Sequence, residues 1–212
     1  MPYCYARPRL RGVLHAVSAV LSVGALVWLV RSAHSTQASV AAWVYGIAAI
    51  LCYLTSSSYH IGARTERARA LMQRADRSMI YVMIAGTLTP IGLLAMHGWW
   101  RFVIVGLAWL GALFGVVLLL PRRVLLPRFG VALYIILGVF GVAAMPSLAR
   151  TPWRLGLVLA AALLYLVGAV LFQRRQPTLR PGWFGYHEFW HVMGVAAGAL
   201  LFVVNLGLIS HT

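Results

Sequence analysis

The stretch FVIVGLAWLGALFGVVLLL, Phe102–Leu120, runs nineteen residues without a charge. As a helix it would be about 28 Å long, close to the hydrocarbon thickness of a bilayer. It reads as a membrane-spanning helix, and the rest of the chain repeats the pattern. Six more segments share its character: Leu10–Val30, Val40–His60, Ser78–Met96, Gly130–Leu148, Trp153–Phe172 and Gly185–Ile209. Short connections rich in Arg, Pro, Ser or Thr separate them, among them Arg31–Ser39, Pro121–Phe129 and Arg174–Gly182. None is long enough for a second domain. Residues 1–212 therefore read as one all-α integral membrane domain, a bundle of seven transmembrane helices.

Composition agrees. Of 212 residues, 62% are hydrophobic and 10% charged, and the mean hydropathy is +0.85. A water-soluble domain is nearer 45–50% apolar and about 25% charged. One soluble core could not bury this much apolar side chain, so lipid must be part of the solvent. Disorder is excluded by the same numbers. A disulfide scaffold is excluded as well, because there are only Cys4 and Cys52, and Cys52 lies in an apolar run. Arg7, Arg9 and Arg11 precede the first segment, as in a secretory leader. That apolar run is about twice the usual leader core and ends in no Ala-x-Ala site, so it reads as a retained span.

All 18 basic residues are arginines, set against Glu66, Asp76 and Glu188, for a net charge of +15. They fall in short groups between spans. That favours anionic lipid headgroups as their partners and argues against nucleic acid. Seven spans put fourteen arginines on one side (the amino terminus and the second, fourth and sixth loops) and four on the other. The positive-inside rule then places the amino terminus in the cytosol and the carboxyl terminus outside. Trp99, Trp100, Trp153 and Trp183 sit at span ends, as an aromatic belt requires. Gly111 with Gly115, and Gly194 with Gly198, suit close helix packing. Pro90 should kink the third span.

Ionisable groups inside spans are costly and suspect. With this topology His60 ends the second span and Asp76 stands at or just before the start of the third. His187, Glu188 and His191 lie in the first two turns of the seventh, and His15 about one turn into the first. All share the cytosolic level. His34, His97 and His211 fall on the other side as ordinary interfacial residues. His187 and His191, four apart, share a helix face and can grip one metal ion. His60 can supply a third nitrogen, which makes the open three-histidine set of catalytic zinc. Ser56 is one turn before His60 on the same face. Asp76 can hold or deprotonate a water whose pKa the metal lowers. His187-Glu188-Phe189-Trp190-His191 also matches H-E-x-x-H, the metalloprotease pattern. Glu188 lies about 100° round the helix from His187, which favours a supporting or interfacial role over that of a protease base. His15 is read as a packed, hydrogen-bonded histidine.

Four elements in order carry a resemblance. They are Ser56-Ser57-Ser58-Tyr59-His60, Asp76, Ala85-Gly86-Thr87-Leu88-Thr89-Pro90, and His187-Glu188-Phe189-Trp190-His191. Together they resemble the hemolysin III proteins, the bacterial branch of the progestin and adipoQ receptor family, over about Arg9 to Ile209. The resemblance implies a seven-helix bundle with a cytosolic amino terminus in the bacterial inner membrane. It implies zinc on His60, His187 and His191, with Asp76 engaging the zinc-bound water and Ser56 as the motif serine of the second span. Glu188 is not a ligand in that pattern. Kinship with alkaline ceramidases suggests hydrolysis of a membrane lipid amide or ester. The chain departs from the receptors in its short amino terminus and its lack of an outer domain, so no protein hormone is expected as a partner. Two other functions stand beside the hydrolase. One is a non-enzymatic sensor or modulator of membrane lipid state with structural zinc; the other is a pore-forming cytolysin, against which the absence of a polar stripe along any span argues.

Overall fold

The computed structural model describes residues 10–119, 127–180 and 182–212, with the backbone alone over 127–132. Helices dominate. In chain order they are α1 (Val13–Arg31), α2 (Thr36–Gly62), α3 (Glu66–Pro90), α4 (Trp100–Leu119), α5 (Pro127–Val139), α6 (Met145–Leu148), α7 (Pro152–Gln173) and α8 (Tyr186–Ile209). A π-helical stretch, Ile91–Ala95, extends α3, and a 3-10 stretch, Phe140–Ala144, joins α5 to α6. Among the described residues six helices are long and apolar enough to cross a membrane: α1, α2, α3 with its extension, α4, α7 and α8.

α2 and α3 begin well before the apolar pattern suggests, because capping side chains start them rather than hydrophobicity. The Ser35 hydroxyl accepts from the Ala38 amide at 3.1 Å and opens α2. The Thr65 hydroxyl accepts from the Ala68 amide at 3.1 Å and opens α3, with Glu66 in its first turn. Each satisfies an amide that has no partner within the helix. The arginine-rich stretch read as a loop before Ser78 is thus the solvated start of α3. Asp76 lies inside that helix rather than at its mouth.

The fifth apolar segment is broken rather than continuous. α5 gives way to the 3-10 stretch, and α6 is a single turn with a proline at its start. Its apolar part, Leu133–Leu148, is shorter than the other six. Gly138, Gly141 and Pro146 weaken an α-helix there.

Pro90 produces a change of helix type. Lacking an N–H, it interrupts the hydrogen-bond ladder, and the chain widens into the π turn. Side chains meet two carbonyls on either side of this change: Gln37 Nε2 donates to the Leu93 carbonyl at 2.9 Å, and Asn205 Nδ2 to the Thr87 carbonyl at 3.4 Å. α3 is the axis of the bundle, with 61% of its apolar window buried against 11% for α7. Small residues bring the helices close. A Cβ on Gly115 would meet the Tyr81 ring at 2.7 Å and one on Gly111 the Leu137 side chain at 2.5 Å. Gly194, by contrast, faces open space. The outer surface carries Val20, Leu21, Leu110 and Leu166, as expected where the surroundings are lipid.

Candidate metal centre

The centre forms where the end of α2 meets the starts of α1 and α8. His60 stands two residues before the end of α2, and His187 and His191 occupy the first two turns of α8. One ligand nitrogen from each of the three lies within 4.8 Å of the other two. The Nε2 atoms of His60 and His187 are 3.2 Å apart. The ring centroids of His60 and His191 are 5.1 Å apart, and those of His187 and His191 4.7 Å. His60 and His191 are buried. Two helices distant in sequence therefore aim three imidazoles at one point.

The donor set fits a cation. His191 Nε2 is buried and has no hydrogen-bond partner among the described residues, a costly state unless something binds there. Three neutral imidazoles offer three lone pairs and no negative charge. His60, His187 and His191 can hold one metal ion.

Glu188 points away from this point. Its Oε1 accepts from Arg11 Nε at 2.7 Å, and its Oε2 from the Gly185 amide at 2.9 Å. The carboxylate is only 3% exposed. It closes the first turn of α8 and ties that turn to Arg11, two residues before α1. The H-E-x-x-H pattern is present in sequence, while the contacts Glu188 makes are an ion pair with Arg11 and a hydrogen bond from the Gly185 amide, neither of them to a histidine.

Gly12 explains how α1 comes so near. Its φ of 86° lies in the left-handed region, and a Cβ there would stand 2.8 Å from His60 Cβ. Only glycine meets both conditions without strain. α1 then brings His15 against the cluster, with Nε2 2.9 Å from His191 Nδ1. From sequence His15 is expected to be a packed, hydrogen-bonded histidine. It packs, but its partner is a member of the cluster.

Ser56 lies one turn before His60 on α2; Asp76 of α3 is near Ser56, and neither belongs to the three-nitrogen set. Cys52, Ser56 and His60 are spaced by four and share one face of α2. The Ser56 hydroxyl is 2% exposed and makes no hydrogen bond of good geometry. Asp76, on α3, lies within electrostatic reach of both Ser56 and Cys52. Cys52 was not singled out in sequence, although its spacing from Ser56 was the available signal. Phe172 of α7 closes the outer side, its ring 5.5 Å from that of His187 and 5.9 Å from that of Trp190.

Comparison with known proteins gives a consistent picture. A family model described as haemolysin-III related matches residues 3–203. Hemolysin-3 of Bacillus cereus is 30% identical over 197 residues, covering 90% of this chain and 86% of that protein. A hemolysin-3 homolog of Bacillus subtilis is 27% identical over 198 residues, covering 90% and 88%.

Proposed function

We propose a function on one premise: this chain belongs to the haemolysin III-related family and is a multi-pass membrane protein. The function is zinc-dependent hydrolysis of a membrane lipid amide or ester. The observation that carries it is the meeting of three imidazoles from α2 and α8 around a buried, unpartnered nitrogen.

Zinc suits the donors. A tetrahedral site with bonds of about 2.0–2.1 Å has nitrogens about 3.3 Å apart; the His60–His187 pair stands at 3.2 Å, and all three nitrogens lie within 4.8 Å of one another. Three protein ligands leave a fourth position open, as catalytic zinc requires. When bound, the ion supplies Lewis acidity, a lowered pKa for water in that fourth position and charge stabilisation for an oxyanion. The chain's own residues do the rest. Asp76 takes a proton from the attacking water as it adds to the acyl carbonyl. It returns that proton to the amine or alcohol when the C–N or C–O bond breaks. Ser56, near the Asp76 carboxyl, orients it once substrate and water are in place. A cavity of about 250 Å³ lies between α1 and α8, lined mainly by apolar residues such as Leu10, Val13, Val17 and Phe184, with Glu188 and His191 also on its wall. Its apolar walls suit an acyl chain.

The topology completes the proposal. The broken α5–α6 segment makes a seventh pass, the amino terminus is cytosolic, and the centre lies at the cytosolic level. Tags at the two termini, probed from each side of intact cells, check this. The activity is tested with purified protein in nanodiscs, given ceramide-like and phospholipid substrates with and without a chelator. Chelator-sensitive release of fatty acid from one of them is expected, abolished in Asp76→Asn. Zinc retention without release from any would leave the ion a structural tie between α2 and α8.

A further inference from the structure

His15 stands outside the three-histidine set, yet it makes the shortest ring contact in the region. Its Nε2 is 2.9 Å from His191 Nδ1, and the two rings meet edge to face, 3.9 Å between centroids at 75°. A nitrogen pair at this distance holds one proton, donated by one ring and accepted by the other. The tautomer follows from what His191 must do. To offer its Nε2 lone pair to a cation, His191 must carry its proton on Nδ1. His15 Nε2 is then the acceptor, and the proton of His15 sits on Nδ1, which is buried with no hydrogen-bond partner among the described residues. Histidines that bind metals commonly have the far ring nitrogen fixed in this way by a second residue.

The surroundings hold His15 for that task. Tyr53 of α2 packs edge to face on its ring, 5.2 Å between centroids. A Cβ on Gly198 would meet the Tyr53 hydroxyl at 2.5 Å, so α8 in turn backs Tyr53. Gly12 lets the start of α1 lie against His60. Otherwise α1 carries no ionisable side chain but Arg31, at its far end.

We propose that His15 is the positioning residue of the metal centre: by accepting the His191 Nδ1 proton, it sets the tautomer and the ring plane that turn Nε2 toward the cation. This rests on the three-histidine metal reading above and concerns how one ligand is oriented.

The experiment uses full-length protein in nanodiscs. Zinc affinity is measured by competition with a chromogenic chelator, and site geometry by the visible spectrum of the cobalt(II) form. His15→Leu should weaken zinc binding about 10–100-fold and change the cobalt bands, while the metal-free melting temperature stays near that of wild type. His15→Gln, whose amide reaches the place of Nε2, should restore both affinity and spectrum; His15→Asn, too short, should not. If His15→Leu does not fold, the Gln and Asn variants carry the comparison. His15→Leu binding as wild type does, His15→Gln falling as far as His15→Leu, or Gln and Asn binding alike would each overturn the proposal. Wild type that binds no zinc would overturn the metal reading itself, and this inference with it.

Discussion

The two ends of the bundle use the same residue types to opposite effect. At one end His15, His60, His187 and His191 lie within reach of one another, beside a buried carboxylate paired with Arg11. At the other end His34, His97 and His211 are exposed, and none belongs to a metal-ligand group among the described residues. A small cavity of about 170 Å³ there is lined by His97, Arg150 and Arg154. Arg154 Nη2 donates to the Gly207 carbonyl at 2.7 Å, which satisfies the last turn of α8. An exposed imidazole is hydrated and needs no partner. A buried one must find a partner or stay costly, so only the first end is organised.

Substitutions can break or sharpen this contrast. The largest effect should come from His191→Ala, which should lower zinc affinity by on the order of 100-fold or more, whereas His97→Ala should leave it unchanged. Metal analysis of both purified proteins decides it; equal metal content would erase the distinction. Next comes Glu188→Ala, which leaves Arg11 without its partner and the Gly185 amide without an acceptor. Breaking a buried pair this way costs about 3 kcal/mol, read as a lower melting temperature in detergent.

Gly12→Ala should cost about 2 kcal/mol, from the left-handed backbone and the approach to His60. It should also weaken zinc binding, since the side chain that must yield is a ligand. Arg154→Ala, at the opposite end, removes only a helix cap, worth about 1 kcal/mol. Its zinc affinity should match wild type. A loss of metal in Arg154→Ala would show the two ends to be coupled.

The membrane character was legible because it depends on additive quantities: run length, absence of charge and small connections. The pairing of His187 with His191 was legible for a similar reason, since a helix puts residues four apart on one face. Two errors of extent have a common cause. The α3 helix begins at Glu66 and the fifth segment is broken, because capping hydroxyls, glycines and prolines act on backbone hydrogen bonds, which hydropathy does not measure. The role of His15 was hidden for a different reason. Nothing in its neighbourhood along the chain distinguishes a histidine that packs from one that holds a ligand.

By itself the sequence determined that the chain lives in lipid, where most of its apolar helices lie and that His187 and His191 share a helix face. Those follow from local composition and from the fixed pitch of a helix. Only the tertiary structure decided that Glu188 turns to Arg11 and that His15 meets His191, 176 positions away. The direction of a side chain depends on how neighbouring helices are rotated and how closely they approach. Here that approach is set by a glycine against His60, a contact between residues with no relation along the chain.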